Sequence, residues 1–185
     1  MLDRLLADPV MADLVRRHPP PDFPPQQPFH SLVDAIVSQQ ISGKAAASIM
    51  GRLRQSVPVR PATLAGADLR RLRRAGLSRA KAVYVRELAR FARDGGLRGL
   101  GRLPDEVIVE RLTAVKGVGV WTAEMFLIFC LRRGDVWPVG DNGIQRAAAA
   151  LYGAKSRRSL IALGERFRPM RTHASWYLWR SLRDA

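Results

Sequence analysis

Residues Leu112–Phe126 read LTAVKGVGVWTAEMF. Gly117 and Gly119 stand two apart between apolar residues, and Trp121 follows at once. Glycine accepts positive φ and lets another backbone or a ligand come close, so the stretch is expected to form a tight turn between two helices. The amides of Val118, Gly119 and Val120 would then open the second helix, with Lys116 beside them. Free N–H groups at the positive end of a helix hold a phosphate without reading sequence. An ordinary αα-corner has the same pattern, so the turn alone does not decide between the two. A carboxylate, Asp141, lies downstream in DVWPVGDNGIQRAAA, just ahead of Gly143-Ile144. That is where a helix N-cap belongs. A carboxylate at a helix start is stabilised as the anion, and an anion can oppose positive charge that develops on a reacting group.

Other reactive side chains are sparse. Cys130 is the only cysteine, which excludes an intrachain disulfide, a four-cysteine iron–sulfur cluster and a cysteine-rich zinc site. His18, His30 and His173 show no ligand spacing. Chemistry without a bound transition metal is therefore expected. Trp121 and Met125 lie one helical turn apart, and Trp176 and Trp179 share a helical face. Aromatic residues at this spacing serve in a core as readily as in a pocket wall.

The chain has 185 residues, with 31 Lys+Arg against 16 Asp+Glu, a net charge of +15 and a pI near 11.5. The 47% hydrophobic content suffices for a real core. A folded domain this basic is suited to a polyanion, first of all nucleic acid. No apolar run of about 20 residues could span a bilayer, and the opening MLDRLLADPVMADLVRR is too polar for a signal peptide. An intracellular protein of the cytoplasm or nucleoid, without a membrane partner, is expected.

The elements that must position these residues read as helices throughout. A leading helix is expected over about Leu2–Arg17, followed by an extended connector, PPPDFPPQQP, since proline lacks the N–H that a helix interior needs. Helices are expected over Phe29–Gln39, Ser42–Gln55 with Ser42 as N-cap, Leu69–Arg74, and from Ser78 through Arg93. Pro104 fits the first turn of a helix over Asp105–Ala114, and Val120–Leu131 follows the glycine turn. Three more are expected near Gly143–Tyr152, Ser156–Phe167 and Arg171–Leu182. With no sustained period-2 run, the fold class is all-α. Two helical lobes around a cleft are expected. One lobe is expected over about 29–131, with the hairpin at 105–131, and the other over 1–28 plus 132–185.

A hairpin of the form LxxxKGVGxxTA, an apolar helix, and then a loop with Pro, Gly and Asp before a further helix resembles the helix-hairpin-helix DNA glycosylase superfamily. Within it the chain looks most like the 3-methyladenine DNA glycosylase II family of alkylation repair. LVDAIVSQQIS (Leu32–Ser42), AGLSRAKAVYVRELA (Ala75–Ala89) and RPMRTHASWYLWR (Arg168–Arg180) resemble further family segments, so the likeness runs from about Leu32 to Arg180. The hairpin together with the aspartate is the specific signal. Longer members carry an additional N-terminal β-rich domain, which the roughly 30 residues ahead of the first matching helix leave out.

The resemblance implies a single glycosylase unit that extrudes an alkylated base, such as 3-methyladenine or 7-methylguanine, from duplex DNA and hydrolyses its N-glycosidic bond. Asp141 falls at the catalytic aspartate and would stabilise the oxocarbenium-like transition state. Gln40 matches the wedge that fills the vacated stack. Trp121 and Trp179 match base-stacking positions, with Met125 beside Trp121. An indole face attracts a cationic base by roughly 0.5–2 kcal/mol. Lys116 to Val120 form the phosphate-binding hairpin. The backbone carbonyls of Thr113, Val115 and Val118 match positions that hold a structural Na+ or K+, and no cofactor is implied for catalysis. Bifunctional relatives carry a lysine where this chain has Trp121, so release of the base without strand cleavage is expected. A monomer is expected. The run LRRLRRAGLSRAK reads as a solvated face or as a phosphate contact through Arg79 and Lys81. The competing readings are a non-catalytic hairpin module that only holds DNA, which has no use for Asp141, and a glycosylase for oxidised or deaminated bases.

Overall fold

The computed structural model describes residues 3–184. Among them every regular element is helical. The chain divides into two units, Met1–Pro24 with Arg132–Ala185, and Pro25–Leu131. Among the described residues no helix is long and apolar enough to cross a membrane.

The continuous unit contains Pro28–Ser38 (α3), Gly43–Ser56 (α4), Pro61–Leu64 (α5), Leu69–Arg74 (α6), Arg79–Arg93 (α7), Asp105–Thr113 (α8) and Val120–Met125 (α9). Leu32, Val33, Ile36 and Val37 put two apolar turns of α3 on one face, and all four are fully buried. This face packs against α4, α7 and α9. Ala82, Val85 and Leu88 of α7 are buried three residues apart along one face, and α7 also packs against α5 and α6. Each buried Leu or Val contributes about 1.5–3 kcal/mol. Ser42 and Ser78 cap their helices as expected, accepting from Ala45 N–H at 3.3 Å and Lys81 N–H at 3.2 Å.

Three local expectations change. α5 begins on Pro61, a short helix absent from the expected set although proline favours the first helical position. Pro104 lies just outside α8, with ψ 149 at the N-cap, not in its first turn. The helix expected over Val120–Leu131 changes after Met125 into a π-helical turn, Phe126–Cys130, closed by Leu131 N–H on the Phe126 carbonyl at 3.0 Å.

The discontinuous unit contains Asp3–Leu6 (α1), Pro9–Arg17 (α2), Asn142–Tyr152 (α10), Arg157–Arg166 (α11) and Arg171–Ser181 (α12). The single leading helix expected over Leu2–Arg17 is two helices, with Leu2 itself outside the described residues. Pro9 opens α2, and Asp8 caps it by accepting from Met11 N–H at 3.0 Å. Asp8 is only 7% exposed. Its carboxylate also accepts from the Tyr152 hydroxyl at 2.8 Å and from the Arg166 guanidinium at 2.5 Å. Burial, and then the bond to Asp8, push the Tyr152 hydroxyl above its ordinary pKa. Around this network Leu5, Met11 and Leu14 join Ile144, Leu160, Phe167, Tyr177 and Leu178 in one core.

The loop from Arg132 to Asp141 is anchored residue by residue. Arg171 grips the Asp135 carboxylate with two parallel bonds, Nε on Oδ1 at 2.8 Å and Nη2 on Oδ2 at 3.0 Å. Val136 N–H donates to Thr172 Oγ1 at 3.0 Å. Trp137 is buried, and its indole N–H donates to the Leu160 carbonyl at 2.9 Å. A Cβ on Gly164 would lie 2.5 Å from that indole, so glycine is what admits the ring. Trp176 holds the proline run, donating to the Pro19 carbonyl at 3.2 Å and meeting Phe23 edge-on at 5.6 Å.

Candidate functional site

Asp141 is the N-cap of α10, the position its sequence context indicates. Its Oδ1 accepts from Ile144 N–H at 2.9 Å and from the Trp179 indole N–H at 2.8 Å. Two donors from different helices therefore fix the plane of one half-buried carboxylate. Gly143 makes the second bond attainable. A Cβ there would sit 3.0 Å from both Asp141 Oδ1 and Trp179 Cδ1. Asp141 and Trp179 are each legible in the sequence, but Gly143 is not, because the steric reason for glycine arises only once α12 meets the start of α10. Trp179 and Trp176, expected to share a face, serve different partners: Trp179 holds Asp141, and Trp176 holds the proline run.

In the continuous unit the hairpin joins α8 to α9. Gly117 has φ +91, and a Cβ on it would lie 2.0 Å from Tyr84 Cγ. Glycine is thus required there twice over, by dihedral angle and by space. Gly119 differs from expectation. Its φ is −92, which any residue adopts, and nothing lies within 4 Å of its Cβ position. The protein interior gives no reason for that glycine, and the open side faces away from the fold. Val118 also departs from its expected role, since its amide donates to the Val115 carbonyl at 3.0 Å and closes the turn. The amides of Gly119 and Val120 carry no such bond among the described residues, and the Val120 side chain is 56% exposed.

The end of α3 is tied to this hairpin. Gln39 Nε2 donates to the Gly117 carbonyl and to Thr122 Oγ1, both at 3.1 Å. Lys81 Nζ donates to the carbonyls of Val37 and Gln39 at 2.7 and 2.6 Å. Burial lowers the pKa of this ammonium. Lys81, one of two residues suggested for phosphate contact, is therefore engaged as a C-terminal clamp on α3. Gln40 follows the clamp with φ +58, a left-handed backbone that costs a non-glycine residue about 1–2 kcal/mol, and its side chain is exposed. Gln39 and Lys81, both half-buried, hold the backbone just ahead of it.

Trp121 is half-buried on the first turn of α9, and Met125 is buried one turn on. For the ion expected at Thr113, Val115 and Val118, the carbonyls of Thr113 and Val118 take no backbone N–H among the described residues, whereas that of Val115 accepts from Val118. A set of carbonyl oxygens suits a hard cation. Among the described residues no group of His, Cys, Asp and Glu could hold a metal.

Residues 33–168 match the family model described as HhH-GPD superfamily base excision DNA repair protein. DNA-3-methyladenine glycosylase 1 of Schizosaccharomyces pombe is 32% identical over 84% of this chain and 73% of its own length. The solved structure of that organism's 3-methyladenine DNA glycosylase, Mag1, in complex with abasic DNA superposes with a TM-score of 0.90 at 30% identity, covering 98% of this chain and 95% of that one. A DNA-3-methyladenine glycosidase from Bacillus halodurans superposes with a TM-score of 0.82 at 37% identity, covering 97% and 88%. With its glycine turn, its capped aspartate and its all-helical architecture, the chain belongs to the HhH-GPD superfamily of base excision DNA repair proteins.

Proposed function

We infer that this chain is a monofunctional DNA glycosylase that hydrolyses the N-glycosidic bond of alkylated purines in duplex DNA and leaves an abasic site. The observation that carries the reading is the Asp141 carboxylate, fixed on α10 by Ile144 N–H and the Trp179 indole. As the bond to the base breaks, positive charge spreads over the sugar ring. A carboxylate already held in place stabilises that charge with no reorganisation at the moment of reaction. Water then completes the substitution at C1′. A cationic alkylated base leaves readily and needs no strong general acid.

The remaining parts give access to that bond. Gly119 and Val120 amides, with Lys116, hold a phosphate of the strand, and the missing Cβ of Gly119 lets it approach. A Na+ or K+ on the carbonyls of Thr113, Val115 and Val118 would brace the turn. Gln40 enters the stack vacated by the extruded nucleotide, with Gln39 and Lys81 holding its backbone. Trp121 stacks on the base, with Met125 behind it. An indole is a donor only and forms no Schiff base, so Trp121 leaves the enzyme without a lyase nucleophile.

A panel of duplexes, each with one alkylated base, tests the reading. Free base should be released while the strand stays intact until alkali is added. Asp141→Asn keeps the cap and removes the charge, so it should abolish release yet still bind DNA. Near-wild-type release by that variant would sink the role of Asp141. A borohydride-trapped adduct that disappears in Lys116→Ala would overturn the monofunctional assignment.

A further inference from the structure

Two sets stand out among the cations of the continuous unit. Arg52 donates to the Ala75 carbonyl and Ser48, Arg71 to the Ser56 carbonyl, Arg90 to the Ala65 carbonyl and Glu87, and Lys81 clamps α3. These hold the fold together. Arg70, Arg73, Arg74, Arg79 and Lys116 form the other set. All five are exposed, and among the described residues no hydrogen bond or ion pair engages their side chains. The nearest carboxylate in sequence, Asp68, is occupied as the N-cap of α6, accepting from Arg70 N–H at 2.9 Å.

The second set is contiguous. Arg70, Arg73, Arg74 and Arg79 line an open recess of about 450 Å³ at the turn from α6 to α7. Arg79 also lines a second recess of about 350 Å³, with Val83, Tyr84 and Lys116. Tyr84 is the ring against which Gly117 is seated. The two recesses thus share Arg79 as a common wall and join the hairpin to α6.

We propose that this arginine track is a second DNA-binding surface, on which the sugar-phosphate backbone continues from the hairpin over Arg79 to Arg70, Arg73 and Arg74. Five neighbouring cations without counter-charges repel one another, and a polyanion laid along them relieves that repulsion. Guanidinium groups suit it because each presents a planar fork of donors to phosphate oxygens. Such pairings fix the position of the duplex and read no sequence. The proposal rests on the glycosylase reading only in taking DNA as the polyanion.

The test is the salt dependence of duplex binding by the full chain, wild type against R70Q/R73Q/R74Q, on a duplex with a stable abasic analogue. Each phosphate that a cation no longer neutralises lowers the slope of log K against log salt by about 0.9, so the triple variant should lower it by about 2.7. Single-turnover excision at saturating protein should stay within about twofold of wild type, because the track lies outside the chemistry. An unchanged slope in a variant of wild-type melting temperature would overturn the track and leave a solvated face. Arg79→Gln alone, expected to remove about 0.9 from the slope, gives a second reading should the triple variant fold poorly. A lowered slope in a protein that excises no base would keep the track and discard the glycosylase reading. Excision with an unchanged slope would do the reverse.

Discussion

Replacing Trp179 with phenylalanine removes one hydrogen-bond donor from the site and leaves an aromatic ring on α12. That donor makes the 2.8 Å bond from the indole to Asp141 Oδ1. The other donor to the same oxygen, Ile144 N–H at 2.9 Å, belongs to the backbone and survives. A hydrogen bond to a charged acceptor is worth about 1.5–3 kcal/mol. If its loss falls wholly on the orientation of the carboxylate, about 1.4 kcal/mol per factor of ten gives a slowing of roughly 10- to 150-fold. Removing the carboxylate charge itself should cost more and leave no detectable release. The ordering wild type, Trp179→Phe, Asp141→Asn is therefore the expected result. Gly143→Ala approaches the same pair from another side. Its Cβ would stand 3.0 Å from Oδ1 and from Trp179 Cδ1, so it displaces the indole without removing the donor. It should slow release in the same direction. Single-turnover release of free base from a saturated single-lesion duplex reports the rate, and affinity for abasic product controls for binding. Trp179→Phe excising within about twofold of wild type, with its melting temperature intact, would show that the indole bond plays no part in orienting the carboxylate.

Three further outcomes are expected. Gln40→Gly relieves a φ of +58 and should raise stability by about 1 kcal/mol while weakening lesion-duplex binding; unchanged binding would make Gln40 a mere helix terminus. Gly117→Ala should destabilise by about 2–4 kcal/mol in denaturant melts, because its Cβ falls 2.0 Å from Tyr84 Cγ, whereas Gly119→Ala should melt like wild type and bind duplex more weakly. Burial lowers the pKa of His173, so the unfolded chain binds a proton that the folded one resists. The contribution is full above about pH 6.5 and is lost as pH falls below it, so melting at about pH 5.5 against about 7.5 should show an acid loss that shrinks in His173→Phe.

Much of the frame is legible because it is local. Ser42 and Ser78 announce their helices, Gly76 ends α6, and Asp141 stands where a cap must. The break at Asp8-Pro9 is local as well, but a proline that opens a second helix resembles one inside a single long helix until the Asp8 cap is seen. Other features have no local signature. Lys81 reads as one more surface cation until α7 brings its ammonium beneath the last carbonyls of α3. Gln39 and Gln40 are neighbours of the same type, yet one turns inward to the hairpin and the other outward in a left-handed conformation. Gly117 and Gly119 look equivalent in the sequence, and only the positive φ of Gly117 and the Tyr84 ring against it separate them. Each of these distinctions is made by a partner distant in sequence, which spacing and propensity do not encode.

The buried Asp8 network has a consequence for synthesis on the ribosome. Asp8 emerges early, but its partners Tyr152 and Arg166 are among the late residues of the chain. Until they appear, a carboxylate destined for a 7% exposed position remains in water, and Leu5, Met11 and Leu14 have no core to enter. The continuous unit, Pro25–Leu131, meets no such delay, since all of its own residues are made before translation reaches Arg132. Domains fold as units in the order in which they are completed. The nascent chain should therefore carry a finished helical unit behind an unfolded leader, and the leader closes only when the α10–α12 segment is released.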